Sequence, residues 1–429
     1  MHSSIVASEY LTGGTFIPLM QHNDVWKRMR RVADKILSKT MASSFYPAQE
    51  QEAVRLVWNM LKNTGPKQWD SELQRAASSV VVSMVYGLSI LESSDDPAIG
   101  LRVNEFILRV GRASIPGTHL VEVFPWMRYF PAFICKWKRD SQMWYRRDTE
   151  FFKALFAGAK DRMEKGDDRD SFASYIIRGQ EHYELSDTEI SWLSATIYAG
   201  GAETSATAMS WFMLAMVAHP EVQKKCQEEL DAVIGRSRTP RLSDQNDLPY
   251  IRATAREVLR WRPLAPLGIP HQLAKDDWHE GSYIPKNTIV IPNIWAMNHD
   301  KDTFGLDADM FRPERHLGPD GKLAPSPPDT KQGVYIWNVT FGYGSRICPG
   351  RYVANSFLFV NIASILWAAN ISPEKDVQGK CIPPDTSDAA ALNDGIFLKP
   401  RPFKCCITPR FPEAKEVLEQ IMRELESGR

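Results

Sequence analysis

Phe341-Gly342-Tyr343-Gly344-Ser345-Arg346-Ile347-Cys348-Pro349-Gly350 is the stretch that decides how this chain is read. A single cysteine sits among fixed companions at the spacing F-x-x-G-x-R-x-C-x-G: Phe341, Gly344, Arg346 and Gly350 around Cys348. The residue types suit a loop that holds a thiolate. Gly344 and Gly350 let the backbone curl and aim N–H groups at the sulfur. Arg346, two residues before Cys348, can form a charge-assisted pair with an acidic group. An apolar helical run from Tyr352 to Ala369 follows and sets the sulfur near a helix N-terminus, which favours its charged form. The competing reading of a lone cysteine after a Gly-rich turn is a small buried hydrophobe.

The loop resembles the haem-binding loop of the cytochrome P-450 family, in which one thiolate holds the iron and pushes electron density onto it. The resemblance implies that Cys348 is the metal ligand of haem b, with Phe341, Arg346 and Gly350 as cofactor contacts. Other segments match the same family in the same order. Ala199-Gly200-Gly201-Ala202-Glu203-Thr204-Ser205 interrupts a helical pattern with two glycines, each costing roughly 1 kcal/mol relative to alanine. Such a cost is tolerated for a kink or for close approach of another body. Gly200 to Ser205 resemble the family's oxygen-activation motif, [A/G]-G-x-[D/E]-T-[T/S]. Thr204 then holds a water against bound oxygen, and Glu203 relays protons from solvent. Close helix–helix contact through small residues is the alternative.

Glu257 and Arg260 lie three residues apart on one helix face. Alone they read as a surface ion pair worth under about 1 kcal/mol. They also resemble the family's E-x-x-R motif, whose third member comes from a P-E-R segment. Phe311-Arg312-Pro313-Glu314-Arg315 supplies it, so Arg315 is expected to join Glu257 and Arg260 in a buried structural network. His316 follows where an aromatic Phe is more usual in the family. Trp26 and Arg30 resemble the family's W-x-x-x-R helix, and they and His271 are expected to contact the haem propionates. By the same resemblance Tyr198, Ala199 and Ala202, with Leu267, Ile269 and Ile396, are expected to line an apolar substrate pocket above the haem.

A chain of 429 residues with 43% hydrophobic and 24% charged residues reads as an ordinary globular protein. Its 52 basic and 52 acidic residues cancel, which argues against a nucleic-acid binder. The six cysteines form no C-x-x-C pair, so zinc-ribbon and thioredoxin-like motifs are excluded. Free thiols in a reducing compartment are expected. No run reaches the 18 or so apolar residues of a membrane-spanning helix.

Helical periodicity dominates, over Asp24–Leu37, Pro47–Leu61, Asp70–Tyr86, Asp148–Glu164, about 187–218, Glu221–Val233 and up to Arg260. Tyr283–Ile291 and Gly395–Ile407 read as hairpins. Val334-Tyr335-Ile336-Trp337 reads as β-rich, inside a stretch (Lys331–Thr340) longer than the family has there. The periodicity makes the fold class mostly α with a small β portion, and the resemblance implies the cytochrome P-450 fold, as one catalytic domain over residues 1–429. The resemblance also implies that the membrane anchor and first strands of the family have no counterpart here, as in an N-terminally truncated form.

The expected activity is monooxygenation of a small lipophilic substrate in fungal secondary metabolism, as in basidiomycete members. No flavin- or nicotinamide-binding sequence is present, so electrons are expected from NADPH through a separate cytochrome P-450 reductase. The basic cluster of Lys27, Arg28, Arg30 and Arg31 is expected to face it. The full-length family member would sit at the cytoplasmic face of the endoplasmic-reticulum membrane. Two alternatives stand: a catalytically incompetent fragment, or a haem-thiolate enzyme that uses peroxide or rearranges a hydroperoxide. The intact Glu203-Thr204 pair favours oxygen activation.

Overall fold

Asn23 accepts the backbone N–H of Trp26 and starts helix α1 (Asp24–Ile36). In this computed structural model, residues 4–62, 69–88, 98–115, 117–167, 169–324, 336–388, 391–393 and 397–427 are described. The long helices that follow α1 are α2 (Tyr46–Lys62), α3 (Trp69–Tyr86), α4 (Ala98–Ala113) and α5 (Lys136–Glu164). Helix α5 begins well before Asp148, where periodicity placed its start. Lysines and arginines crowd residues 136–147, but Trp137 and Trp144, seven residues apart, pack on the core and keep that stretch helical.

Ser186 and Glu189 form a reciprocal capping box, with both main-chain N–H groups satisfied, and open α6 (Asp187–Ala218). Most of α6 is buried all round, the mark of a helix through the centre of a protein. It packs most extensively on α3. Gly201 permits that approach, because a Cβ there would stand 2.9 Å from Cγ2 of Val81. Helices α7 (Pro220–Val233) and α8 (Pro249–Trp261) follow, each with Pro in its first turn. Helix α9 (Arg351–Ala368) begins directly after the cysteine loop and packs on α2, α6, α7 and α8. The chain ends in the amphipathic α10 (Ala414–Ser427) against α2.

The sheet portion is small and its pairing corrects both expected hairpins. Strand β1 (His271–Gln272) and β2 (Asp277–His279) precede β3 (Ser282–Ile284) and β4 (Ile289–Val290). Strand β3 pairs with β2, and β4 with β1, so the two halves of Tyr283–Ile291 do not face each other. The reason is the two-residue turn Glu280-Gly281, where φ is 49° and 79°. Two successive positive φ values give the turn that closes a tight hairpin.

Strand β5 (Ala369–Lys375) lies between β6 (Cys381–Ile382) and β9 (Cys405–Pro409), while β7 (Ala391–Asn393) pairs with β8 (Leu398–Pro400). Gly395–Ile407 is thus not one hairpin. Pro400 and Pro402 carry no N–H and cannot extend a ladder. Ile336–Phe341 is a 3-10 helix rather than β structure; Val334-Tyr335 lies outside the described residues, as do Gly395 and Ile396.

Candidate active site

The cysteine loop closes on itself through the Cys348 N–H, which donates to the Phe341 carbonyl at 2.8 Å. Gly342 and Gly344 sit at φ 74° and 62°, the left-handed conformation that allows the curl. Gly350 is the N-cap of α9, so Cys348 lies just before a helix N-terminus, as expected. Burial pushes the Cys348 thiol up, against the Gly350 backbone N–H and the charges of Arg30 and Arg351, which favour the thiolate. The polypeptide alone leaves a thiol; a metal ion would deprotonate it outright.

A group of donors surrounds one side of this loop. The Arg346 guanidinium stacks on the Trp26 ring, 3.8 Å from its centroid, and donates to the carbonyls of Ile17 and Met20. Burial and the nearby Arg30 charge hold its pKa down at about 10. Arg30 donates to Asp34 at 2.8 Å and to the Ile347 carbonyl. The buried Trp26 Nε1 has no hydrogen-bond partner among the described residues. His271, in β1, lies near Tyr343 of the loop, with ring centroids 6.4 Å apart. Burial, then the Arg346 charge among others, pushes its pKa down. Trp26, Arg30, Arg346 and His271 fit the two propionates of a haem: a buried indole donor and two guanidiniums around a single, already paired carboxylate. Cys348 is the thiol that would hold its iron.

Helix α6 packs on both α1 and α9. Gly200 is exposed and Gly201, Glu203 and Thr204 are half-buried, in a helix whose other positions are mostly buried. Thr204 Oγ1 donates to the Gly200 carbonyl at 2.6 Å, which fixes its rotamer and leaves its oxygen lone pairs outward. Glu203 faces Lys399 of β8 at 4.0 Å. Sequence reasoning missed Lys399, whose only signal is distance along the chain.

Tyr198 does not share that face. It is fully buried, edge-on to Tyr86 of α3, and so is removed from the expected pocket lining. Ala199 and Ala202 are also buried, in the same apolar cluster. At about 100° per residue, Tyr198 and Ala202 lie well round the helix from Gly200 and Thr204. Leu267 is largely exposed and Ile269 half-buried, at a turn fixed by Gly268, where a Cβ would meet Pro292 at 2.5 Å. Ile396 lies outside the described residues.

Glu257 is wholly buried and its carboxylate gathers five donors. Oε1 accepts from Arg260 Nη2 (2.7 Å), the Arg312 N–H (2.8 Å) and Arg315 Nε (3.1 Å). Oε2 accepts from Arg260 Nε (2.7 Å) and His316 Nε2 (2.8 Å). Burial alone would raise this carboxyl, but the hydrogen bonds from Arg260 and His316 and the Arg260 charge hold it down at about 2. The surface ion-pair reading is thereby excluded. The network reaches the cysteine loop through Asn298. Arg260 donates to its carbonyl at 2.7 Å, and its amide donates to Thr340, the residue before Phe341, at 3.1 Å. Neither His316 nor Asn298 carries a spacing signal that would have revealed this role.

Among the described residues no helix is long and apolar enough to cross a membrane. A cleft of about 270 Å³ on the loop is lined by Arg30, Lys39, Arg351 and Pro349 among others.

Comparison with known proteins agrees with this geometry. The family model for cytochrome P-450 matches residues 3–407. A cytochrome P-450 monooxygenase of Armillaria gallica is 46% identical over 97% of this chain and 78% of its own length. The cytochrome P-450 monooxygenase iboC of Amanita muscaria is 37% identical over 98% of the chain and 81% of its own. A zebrafish cytochrome P-450 solved with abiraterone has the same fold, with a TM-score of 0.70 at 22% identity, covering 95% of this chain and 87% of that one. A cysteine loop at a helix N-terminus, a long buried helix carrying the Gly-Gly-x-Glu-Thr segment and a buried Glu-Arg-Arg support coincide with a family match over nearly the whole chain, and the chain belongs to the cytochrome P-450 family of monooxygenases.

Proposed function

We propose that this chain binds haem b through Cys348 and inserts one oxygen atom from O2 into a lipophilic, terpenoid-like substrate of fungal secondary metabolism, as a single catalytic domain. The observation that carries the reading is the placement of Cys348 at the start of α9 beside the Trp26, Arg30 and Arg346 donors. When bound, haem supplies the oxygen chemistry that no side chain can perform.

The chain's own residues do the rest. Cys348 would hold the haem iron through its thiolate, and the Gly350 N–H and the start of α9 favour that negative charge. Trp26, Arg30, Arg346 and His271 orient the cofactor by its carboxylates. Thr204, anchored on the Gly200 carbonyl, presents its hydroxyl oxygen to a water and so positions a proton. Glu203 exchanges protons with solvent, and Lys399 Nζ stands 4.0 Å from its carboxylate.

Electrons come from NADPH through a separate cytochrome P-450 reductase. Lys39 and Arg351 on the cleft beside Cys348 suit an acidic partner surface. Such a partner implies the cytoplasmic face of the endoplasmic reticulum.

A reduced carbon-monoxide difference spectrum tests fold, haem and thiolate together, and a thiolate-type Soret band is expected. Its absence from folded, haem-containing protein sinks the reading. Terpenoid-like compounds are expected to shift the Soret band; a shift with small charged compounds alone would exclude the substrate class.

A further inference from the structure

His316 stands where the family resemblance leads one to expect Phe, and the structure shows what it does instead. It is 1% exposed, and its Nε2 lies 2.8 Å from Glu257 Oε2. An ionised carboxylate has no proton to give, so the hydrogen sits on Nε2 and the tautomer is fixed. Without His316, Oε2 would keep only Arg260 Nε.

The surroundings disfavour a second proton on the ring. Helix α8 presents Arg256 and Arg260 to it as well as Glu257. From its own turn, Arg315 binds Glu257 and Asp307, while Glu314 is turned away to Lys225 and Tyr250. The loop behind it, where the Ala324 N–H donates to the His316 carbonyl, holds Asp320 and Lys322 in solvent. A charged His316 would be a further cation in a buried cluster that already holds Arg260 and Arg315.

We propose that His316 is a positioning residue of the haem-loop support: as the neutral Nε2–H tautomer it fixes the Glu257 carboxylate, and its protonation loosens the support and speeds loss of haem. The route to the loop is Glu257, Arg260, Asn298 and Thr340. The proposal rests on the haem-thiolate reading above. Burial, only partly offset by Glu257, pushes the His316 pKa below its ordinary value of 6.5. The folded chain therefore binds fewer protons than the unfolded chain once pH falls through 6.5, and stability falls with it. Glu257 itself, held at about 2, gives up its contribution only below its ordinary 4.5, so the two windows separate.

The test follows transfer of haem from the ferric holoenzyme to excess apomyoglobin at about pH 7.5 and about pH 5.5, either side of the ordinary histidine range. His271 and His299 are also pushed down by burial, so each variant is compared with wild type at the same pH. Wild type should lose haem about tenfold faster at the lower pH, one pH unit's worth of linkage. His316→Gln keeps a donor that does not titrate. It should match wild type at the higher pH and lose most of the acid acceleration. His316→Leu removes the donor and should lose haem about tenfold faster at the higher pH.

Acid acceleration in His316→Gln equal to wild type, or a wild-type rate in His316→Leu at the higher pH, overturns the proposal. If neither variant retains haem, ¹⁵N-histidine NMR of the wild-type ferrous carbon-monoxide form decides: one buried ring protonated only at Nε2 is expected, and its absence overturns the proposal. A missing thiolate-type band in wild type sinks the haem-thiolate reading instead; with the band present, an unchanged His316→Gln profile sinks this inference alone.

Discussion

Replacing Glu257 by Ala removes the one acceptor around which two guanidiniums, a histidine and a main-chain N–H are arranged. The side chains of Arg260 and Arg315 are only 2% and 3% exposed, so water cannot take its place. Breaking a buried ion pair by deleting one partner costs about 3–5 kcal/mol. The carboxyl gives a second figure: held at about 2 against an ordinary 4.5, it is stabilised by roughly 3 kcal/mol. The two agree, and either is a large part of the 5–15 kcal/mol typical of a folded domain. Because the network ends at Thr340, the loss should appear first as failure to hold haem. The assay is the ratio of Soret to protein absorbance after expression with haem precursor, with a urea titration of whatever is soluble. Glu257→Ala should be haem-free or insoluble, and Glu257→Gln, which keeps one acceptor oxygen, intermediate. A soluble Glu257→Ala protein with full haem loading and an unchanged urea midpoint would refute the reasoning.

Other outcomes are equally concrete. Cys348→Ala should abolish the thiolate-type Soret band, while Cys405→Ala, at a buried thiol pushed up to about 12, should leave it; persistence of the band in Cys348→Ala would remove the ligand assignment. Thr204→Ala should retain haem and substrate binding but divert reducing equivalents to hydrogen peroxide, measured as product formed per NADPH, and unchanged coupling would contradict the proton-delivery role. Gly201→Val should destabilise by about 1–3 kcal/mol through collision with Val81, and Val81→Ala should recover much of that; equal urea midpoints for Gly201→Val and wild type would show that α3 and α6 are not in tight contact.

The cysteine loop was legible because its chemistry is local. Curling a backbone round one sulfur needs glycines at fixed offsets, and a cap needs its partner three residues on, as in Ser186 and Glu189. Helix existence was legible for the same reason, since a buried face repeats every 3.6 residues. Pairing of strands was not. Tyr283–Ile291 contains a plausible turn, yet the chain turns earlier, at Glu280-Gly281, and which strand meets which depends on partners beyond the segment. Pocket lining also escaped, because Tyr198 and Gly200 are two residues apart and a helix sends them to different neighbours.

The sequence by itself determined the family, the metal-ligand candidate and the acid–alcohol pair, since each depends on residues within a few positions of one another. Only the tertiary structure decided that His316 joins Glu257, that Lys399 faces Glu203, and that Asn298 ties the buried network to the cysteine loop. Those contacts join residues 42 to 196 positions apart, taking Asn298 to Thr340 and Glu203 to Lys399 as the extremes. Their geometry is fixed by helix packing around a shared core, which no local spacing encodes.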